Sequence, residues 1–163
     1  MTRLLAFLSK TPVLFGFFVA TIVILISFSP LRQSLDGPLL DQIFSGDAAK
    51  ARLAEFSAEQ KLAHFWVTVI NDTLFPLAYG GLLMGLAARF GGRYGTLAAI
   101  PALLTIVFDL AENTVQALAL SGTLDLLGLK SFLTPAKMGF LLIAFLVAVV
   151  FLIAAGFRRI RQS

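Results

Sequence analysis

Four long apolar segments alternate with shorter polar stretches along the 163 residues of this chain. A helix that crosses a membrane needs about 20 mostly apolar residues, and each segment is long enough. We therefore predict an all-α protein, an integral membrane four-helix bundle that forms a single transmembrane domain over residues 1–163. The predicted helices are residues 12–30, 62–88, 96–120 and 132–157.

Local signals support two of these helices. Ser57 and Gln60 have the spacing of a capping box just before the second helix. That helix is longer than the membrane core requires, and Pro76 is placed to kink it. The first helix follows Arg3 and Lys10 as a signal peptide would, but no small-residue cleavage site comes after it, so we predict that it is retained.

The polar stretch between the first two helices has its own pattern. Within residues 31–60 the segment "DAAKARLAEF" predicts a short amphipathic helix outside the cytoplasm, with Asp47 as its N-cap, lying at the membrane surface. This helix is either a lipid-facing lid or a plain re-entry helix. The sequence leaves the role of the loop open.

Composition supports the membrane assignment. The chain is 58% hydrophobic and 13% charged, whereas soluble domains carry about 25% charged residues. The absence of cysteine excludes disulfides, thiolate metal sites and a cysteine nucleophile. Because the chain is mostly hydrophobic and carries little charge, membrane lipids are the expected partners. Nucleic acid is not expected, because the basic residues stand at helix ends rather than in a patch.

The distribution of lysine and arginine predicts the orientation. Short loops rich in these residues stay in the cytoplasm. Both termini and the second connection should then be cytoplasmic, in a multi-pass protein of the cell (inner) membrane. The residues that favour this orientation are Arg3, Lys10, Arg89, Arg93, Arg158, Arg159 and Arg161.

Three acids interrupt the apolar pattern and are the candidate catalytic or proton-carrying residues. Asp109 and Glu112 lie in "FDLAENTV" on the third helix, and Asn113 shares their face through i, i+3, i+4 spacing. Helical rise places Asp72 of the second helix at the same depth, near the bilayer midplane. Lys137 of the fourth helix could reach toward them. An antiparallel bundle would bring these helices together around one polar core.

Further residues are candidates for binding. Tyr79 and His64 fall on the same stripe of the second helix as Asp72. Taken alone, His64 is best explained as an interfacial residue, and Lys137 as a lysine that extends to the membrane surface. The acids lie in no recognised metal-binding spacing, so no metal is assigned, and no cofactor motif is present.

Ionised carboxylates are costly at the centre of a membrane, by at least about 2.5 kcal/mol each. The surplus acid must be protonated, hydrogen-bonded to water in a cavity, or neutralised by a cation. Buried hydrogen bonds between helices are the structural alternative, but such bonds contribute only about 0.6 kcal/mol on average. A functional acidic site is therefore the favoured interpretation.

The chain resembles a group of small, mostly bacterial four-helix membrane proteins of uncharacterised function. The resemblance rests on "DTLFPLAYG", "FDLAENTV" and "SFLTPAKMG", which follow the pattern D-x-x-F/Y-P-x-x-Y, D-x-x-E-N and T-x-x-K over residues 62–157. It implies the four-helix architecture and the grouping of the patterned residues. These are Asp72, Phe75, Pro76, Tyr79, Asp109, Glu112, Asn113, Thr134 and Lys137.

Three functions remain open. The first is an enzyme that performs acid/base chemistry on a lipid-phase substrate, a lipid-like small molecule. The second is a proton- or cation-coupled carrier, and the third is a non-catalytic assembly or accessory protein. The sequence decides neither whether the chain is an enzyme nor its oligomeric state.

Overall fold

A computed structural model describes residues 2–34 and 37–161, and every regular element in these two ranges is helical. The all-α prediction is therefore confirmed for the described part of the chain. The helices are α1 (Thr2–Leu8), α2 (Thr11–Ser27), α3 (Ser29–Ser34), α4 (Gly46–Glu55), α5 (Ala58–Val67), α6 (Thr73–Phe90), α7 (Gly95–Ala98), α8 (Ile100–Leu120) and α9 (Lys130–Ile160).

Three helical runs are long and apolar enough to cross a membrane. A π-helical turn, Thr68–Asp72, joins α5 to α6 in the first run. Helices α1 and α2 meet at a bend of 75° and make a fourth candidate only if they are taken together. The three runs are Ala58–Phe90, Gly92–Leu120 and Leu127–Ile160, each a few residues longer than its predicted helix.

Side chains fix the start of α4 and α5. The Ser57 N–H donates to Gln60 Oε1 at 3.0 Å and the Gln60 N–H donates to Ser57 Oγ at 3.2 Å, so the predicted capping box is confirmed. The short helix α4 is also present. Its predicted cap was wrong, because Ser45 and not Asp47 accepts from the Ala48 N–H.

A π turn precedes Pro76, the residue at which the sequence predicts a kink. Proline has no N–H, so the carbonyl of Asp72, four residues earlier, loses its helical partner. Asn113 of α8 replaces that partner, since its Nδ2 donates to the Asp72 carbonyl oxygen at 2.5 Å. A defect in one helix thus becomes a fixed contact with another.

Two apolar clusters hold the helices together, and the buried polar residues lie between them. One cluster, at the end of the bundle that carries the loop, contains Phe28, Leu39, Leu40, Phe56, Val115 and Leu127. The other is rich in alanine, which lets α6, α8 and α9 approach closely. Its members include Leu5, Leu8, Leu83, Met84, Ala87, Ala99, Ala102, Ala144 and Ala148.

The loop between α3 and α5 packs onto the start of α9. Leu40 is completely buried, and the Gly46 N–H donates to Ser131 Oγ at 3.0 Å. A Cβ at Gly46 would lie 2.5 Å from the Leu127 carbonyl oxygen, so only glycine fits there.

The exposed acid Asp125 holds the connection between α8 and α9, which lies beside this loop. The Leu127 N–H, with Lys50 beside it, holds the pKa of the Asp125 carboxyl below its usual range.

Candidate functional site

Lys137 lies at the centre of the buried polar cluster. Its Nζ is 2.7 Å from Glu112 Oε2, 2.8 Å from Asp41 Oδ1 and 3.2 Å from Asp109 Oδ1. Only 3% of the Lys137 side chain is exposed. One ammonium group therefore joins carboxylates from α8 and from the loop before α4.

A second lysine completes the environment of Glu112. Lys130 Nζ donates to Glu112 Oε1, and Thr134 Oγ1 donates to the same oxygen at 2.6 Å. Lys130, Thr134 and Lys137 follow i, i+4, i+7 spacing on α9 and share one face. All three α9 residues and Glu112 are buried, so this carboxylate is enclosed by its partners.

Tyr79 connects Asp109 to α6. The Tyr79 hydroxyl donates to Asp109 Oδ2 at 2.5 Å, on the oxygen that does not face Lys137. The Phe75 ring packs edge-to-face against Tyr79, with 5.0 Å between ring centroids. Asp109 is thus held between an ammonium group on one side and a phenol on the other.

Asp72 lies at the margin of the cluster, as the last residue of the π turn. Its carboxyl is buried. A small cavity of about 60 Å³ is lined by both Asp72 and Asp41, with Phe75 as another of its walls. The two carboxylates therefore share one space under the loop.

His64 fastens the loop to α5. The Leu40 N–H donates to His64 Nε2 at 3.2 Å, so Nε2 must be the unprotonated nitrogen. His64 Nδ1 then donates to Thr68 Oγ1, also at 3.2 Å. These contacts require the neutral Nδ1–H form of the ring.

One interpretation drawn from the sequence is wrong. Lys137 does not extend to the surface, since the carboxylates hold its ammonium group inside the bundle. His64, predicted to be an interfacial residue, is 1% exposed, and both of its ring nitrogens have partners. In each case a buried polar partner replaces water.

The predicted site residues separate into three groups. Asp109, Glu112, Lys137 and Tyr79 form one connected set of contacts. Asn113 lies on the same face of α8 but contacts backbone rather than the carboxylates. Asp72 and His64 stand at the edge of the set, the first by the small cavity and the second under the loop.

Sequence reasoning missed Asp41 and Lys130. Asp41 stands in a loop, and no periodicity marks it. Lys130 could have been found, because its spacing to Thr134 and Lys137 puts the three on one helical face. The predicted helix began at residue 132, two residues after Lys130, which excluded this lysine from the face.

Three carboxylates of the cluster lie close enough together to surround one cation. One oxygen each from Asp41, Asp109 and Glu112 lies within 4.8 Å of the others. The Lys137 ammonium contacts all three residues and supplies the positive charge there. With Asp72 included, the described site holds four acids and two lysines, so it has two more acids than bases.

A larger, apolar cavity adjoins the site on the other side of Phe75. It has a volume of about 650 Å³ and lies between α2, α6 and α9. Apart from Thr11 and Tyr79, the described residues that line it are apolar, and several of them are exposed at the surface. Those that shape the cavity include Phe15, Phe18, Leu82, Leu141, Phe145 and Leu152. Tyr79 is therefore the contact between the cavity and the acids.

Fold and site together define an all-helical protein with buried acidic residues and three helices suited to a membrane. Comparison of the chain with protein-family models, curated protein sequences and solved structures finds no match. The resemblance based on the D-x-x-F/Y-P-x-x-Y, D-x-x-E-N and T-x-x-K pattern stays a prediction.

Proposed function

We propose that this chain is a polytopic inner-membrane enzyme that performs acid/base chemistry on a lipid-phase substrate. The apolar part of the substrate would occupy the cavity between α2, α6 and α9. The reacting atom of the substrate would approach the Tyr79 hydroxyl. The observation that carries the proposal is the position of Tyr79, which lines the apolar cavity and donates to Asp109.

The roles of the residues follow from their contacts. Tyr79 would pass a proton between Asp109 and the substrate, since it is hydrogen-bonded to the acid and faces the cavity. Lys137, 3.2 Å from Asp109 Oδ1, would stabilise the carboxylate form of Asp109, which can take up a proton through Tyr79. Proton addition at one atom and removal at another, as in isomerisation of an alkene, needs no other reactant.

The excess of acids over bases supports the same chemistry. Four carboxyl groups face two ammonium groups, so an electrically neutral cluster carries two protons on its carboxyls. Burial makes neutrality favourable, because uncompensated charge in a low-dielectric interior is costly. Carboxyl protons held in this cluster would lie close to the apolar cavity, as acid/base catalysis on a hydrocarbon substrate requires.

The positions of the basic side chains support the proposed orientation, with both termini in the cytoplasm. Arg89 Nη1 donates to Ser9 O at 3.1 Å, and Arg158 Nη2 donates to Phe90 O at 3.4 Å. The beginning of the chain, the α6 end and the α9 end thus meet at one end of the bundle. The acidic loop with Asp41 lies toward the other end.

Comparison of lipid extracts tests the proposed enzyme. A deletion strain would be complemented with the wild-type chain, Tyr79→Phe, Asp109→Asn and the matched control Tyr94→Phe, which alters an exposed tyrosine. We expect a lipid that changes on deletion to be restored by wild type and Tyr94→Phe only. Restoration by Asp109→Asn, or no change on deletion, would rule the proposal out.

A second pair of variants tests the cavity itself. Val149 lines the cavity, whereas its neighbour Val150 is exposed on the outer surface of α9. Val149→Trp should fill the cavity and abolish the restoration, and Val150→Trp should leave it intact. Equal activity of the two variants would place the substrate elsewhere.

A cation-coupled carrier is the second candidate, favoured by the three carboxylate oxygens that lie within 4.8 Å of one another. The Lys137 ammonium weighs against it, because a transported cation would have to displace a lysine that already contacts all three residues. Uptake of protons or Na⁺ by vesicles that contain the purified chain, abolished by Asp109→Asn, would favour the carrier instead. The remaining candidate, an accessory protein, would be favoured if Asp109→Asn and Glu112→Gln prevented folding.

A further inference from the structure

We propose a second lipid site, in a groove on the face of the bundle between the π turn and α8. The groove has a volume of about 440 Å³ and is distinct from the apolar cavity, with which it shares no lining residue. Its occupant is a neutral amphiphile with a free hydroxyl group, of the diacylglycerol kind. The inference does not depend on the proposed acid/base chemistry.

The groove is polar where a surface facing lipid is normally apolar. Five hydroxyl side chains line it, from Thr68, Thr73, Thr114, Ser121 and Thr123. Thr68, Thr73 and Thr114 stand on two of the helical runs that are long and apolar enough to cross a membrane, and Ser121 and Thr123 follow the end of α8. Polar groups on such a surface need partners that hydrocarbon tails cannot provide.

Two hydroxyls of the groove use their own protons inside the protein. Thr114 Oγ1 donates its own proton to the Leu110 carbonyl at 2.8 Å, and Thr73 Oγ1 donates to the Thr68 carbonyl at 3.4 Å. The oxygens of both hydroxyls are thereby left as acceptors. A ligand hydroxyl can donate to these oxygens.

Asn113 provides an independent observation. It lines the groove and is 3% exposed, and its Oδ1 has no hydrogen-bond partner within the described ranges. The orientation of the amide is fixed, because Nδ2 donates to the Asp72 carbonyl and a flip would bring two acceptors together. A buried acceptor without a partner is costly, and a ligand hydroxyl would satisfy it.

The charge of the groove selects a neutral ligand. No charged side chain is among the described residues that line it. A phosphate group would bring charge to a lining that offers no cation among its described residues. Phe65, Val69 and Leu118 add apolar surface beside the hydroxyls, which suits the start of an acyl chain.

Lipid binding to the purified full chain tests the groove. The protein would be held in lauryldimethylamine oxide, a detergent without hydroxyl groups, and bound lipid counted by native mass spectrometry. The probes are 1,2-dioctanoylglycerol, its 3-acetyl ester and dioctanoyl phosphatidic acid. We expect the free alcohol to bind about three- to tenfold more tightly than the acetyl ester, which is the effect of one neutral hydrogen bond. Phosphatidic acid should bind more weakly still.

Variants of the lining and of other surfaces test whether the ligand binds in the groove. Ala117 lines the groove on α8, and Val107 is an exposed residue of the same helix. Ala117→Phe should weaken dioctanoylglycerol binding at least tenfold, whereas Val107→Phe and the cavity variant Val149→Trp should leave it within twofold. Binding that is unchanged by Ala117→Phe would overturn the proposal. So would equal binding of the alcohol and its acetyl ester, a comparison that needs only the wild-type protein.

Discussion

Replacing Lys137 by methionine gives the sharpest test of the cluster. Methionine keeps most of the volume of the side chain and removes the ammonium group that contacts three acids. The three acids differ in the partners that they keep after this substitution. Glu112 keeps Lys130 and Thr134, and Asp41, with a side chain 32% exposed, can turn toward water. Asp109 is left with only the Tyr79 hydroxyl among its described side-chain partners.

The expected loss of stability follows from the loss of the ammonium partner of Asp109. Removal of one partner from a buried ion pair typically costs about 3 to 5 kcal/mol, because the other charge stays buried and uncompensated. Lys137 and Asp109 have side chains that are 3% and 9% exposed, so solvent screens them little. We expect Lys137→Met to lower the free energy of unfolding by an amount in this range. Asp109→Asn in the Lys137→Met background should recover most of the lost stability, since it removes the uncompensated charge of the Asp109 carboxylate.

Reversible unfolding of the purified protein provides the measurement. The chain would be unfolded in mixed micelles of rising sodium dodecyl sulfate fraction and followed by circular dichroism of its helices. Asp41→Asn in the Lys137→Met background is the matched control, and it should recover much less than Asp109→Asn. Equal rescue by the two substitutions, or a loss below about 1 kcal/mol in Lys137→Met, would refute the assigned contacts.

Three other predictions test how the surrounding elements support the site. Asn113→Ala should cost about 1 to 3 kcal/mol because it leaves the Asp72 carbonyl without a donor; the same unfolding assay should find a smaller cost in a Pro76→Ala background, where residue 76 regains an N–H. Gly46→Ala should loosen the loop, and since the chain has no cysteine, a Gln42→Cys probe should then react faster with a thiol reagent. The single histidine should show the neutral Nδ1–H form by ¹⁵N chemical shifts, and a spectrum of the Nε2–H form would contradict the Leu40 contact.

The sequence identifies the helical part of the site because helices repeat regularly. Asp109, Glu112 and Asn113 share a face through their spacing alone, and all three are buried as that spacing indicates. Their partner on the neighbouring helix, Tyr79, also follows from periodicity. Such residues can be grouped without a structure because one helix fixes their relative positions.

The sequence does not identify the contribution of the loop. Asp41 reaches Lys137 only because Leu40 is buried, His64 accepts from its N–H, and Gly46 lets the backbone approach Leu127. None of these contacts has a period or a motif. The exact start of α9 is equally hard to predict, since a 3₁₀ turn, Leu127–Leu129, leads into it. An error of two residues there removed Lys130 from the site.

The way in which the site is enclosed bears on the choice between an enzyme and a carrier. A carrier must open its binding site to each side of the membrane in turn. Here the loop covers the acids at one end with the completely buried Leu40, and the alanine-rich cluster packs the helices at the other. Phe75 lines both the small cavity beside the acids and the larger apolar one, so its ring separates the two. Tyr79 links the acids to the apolar side chains at the flank of the bundle, which suits a substrate that arrives from the lipid phase.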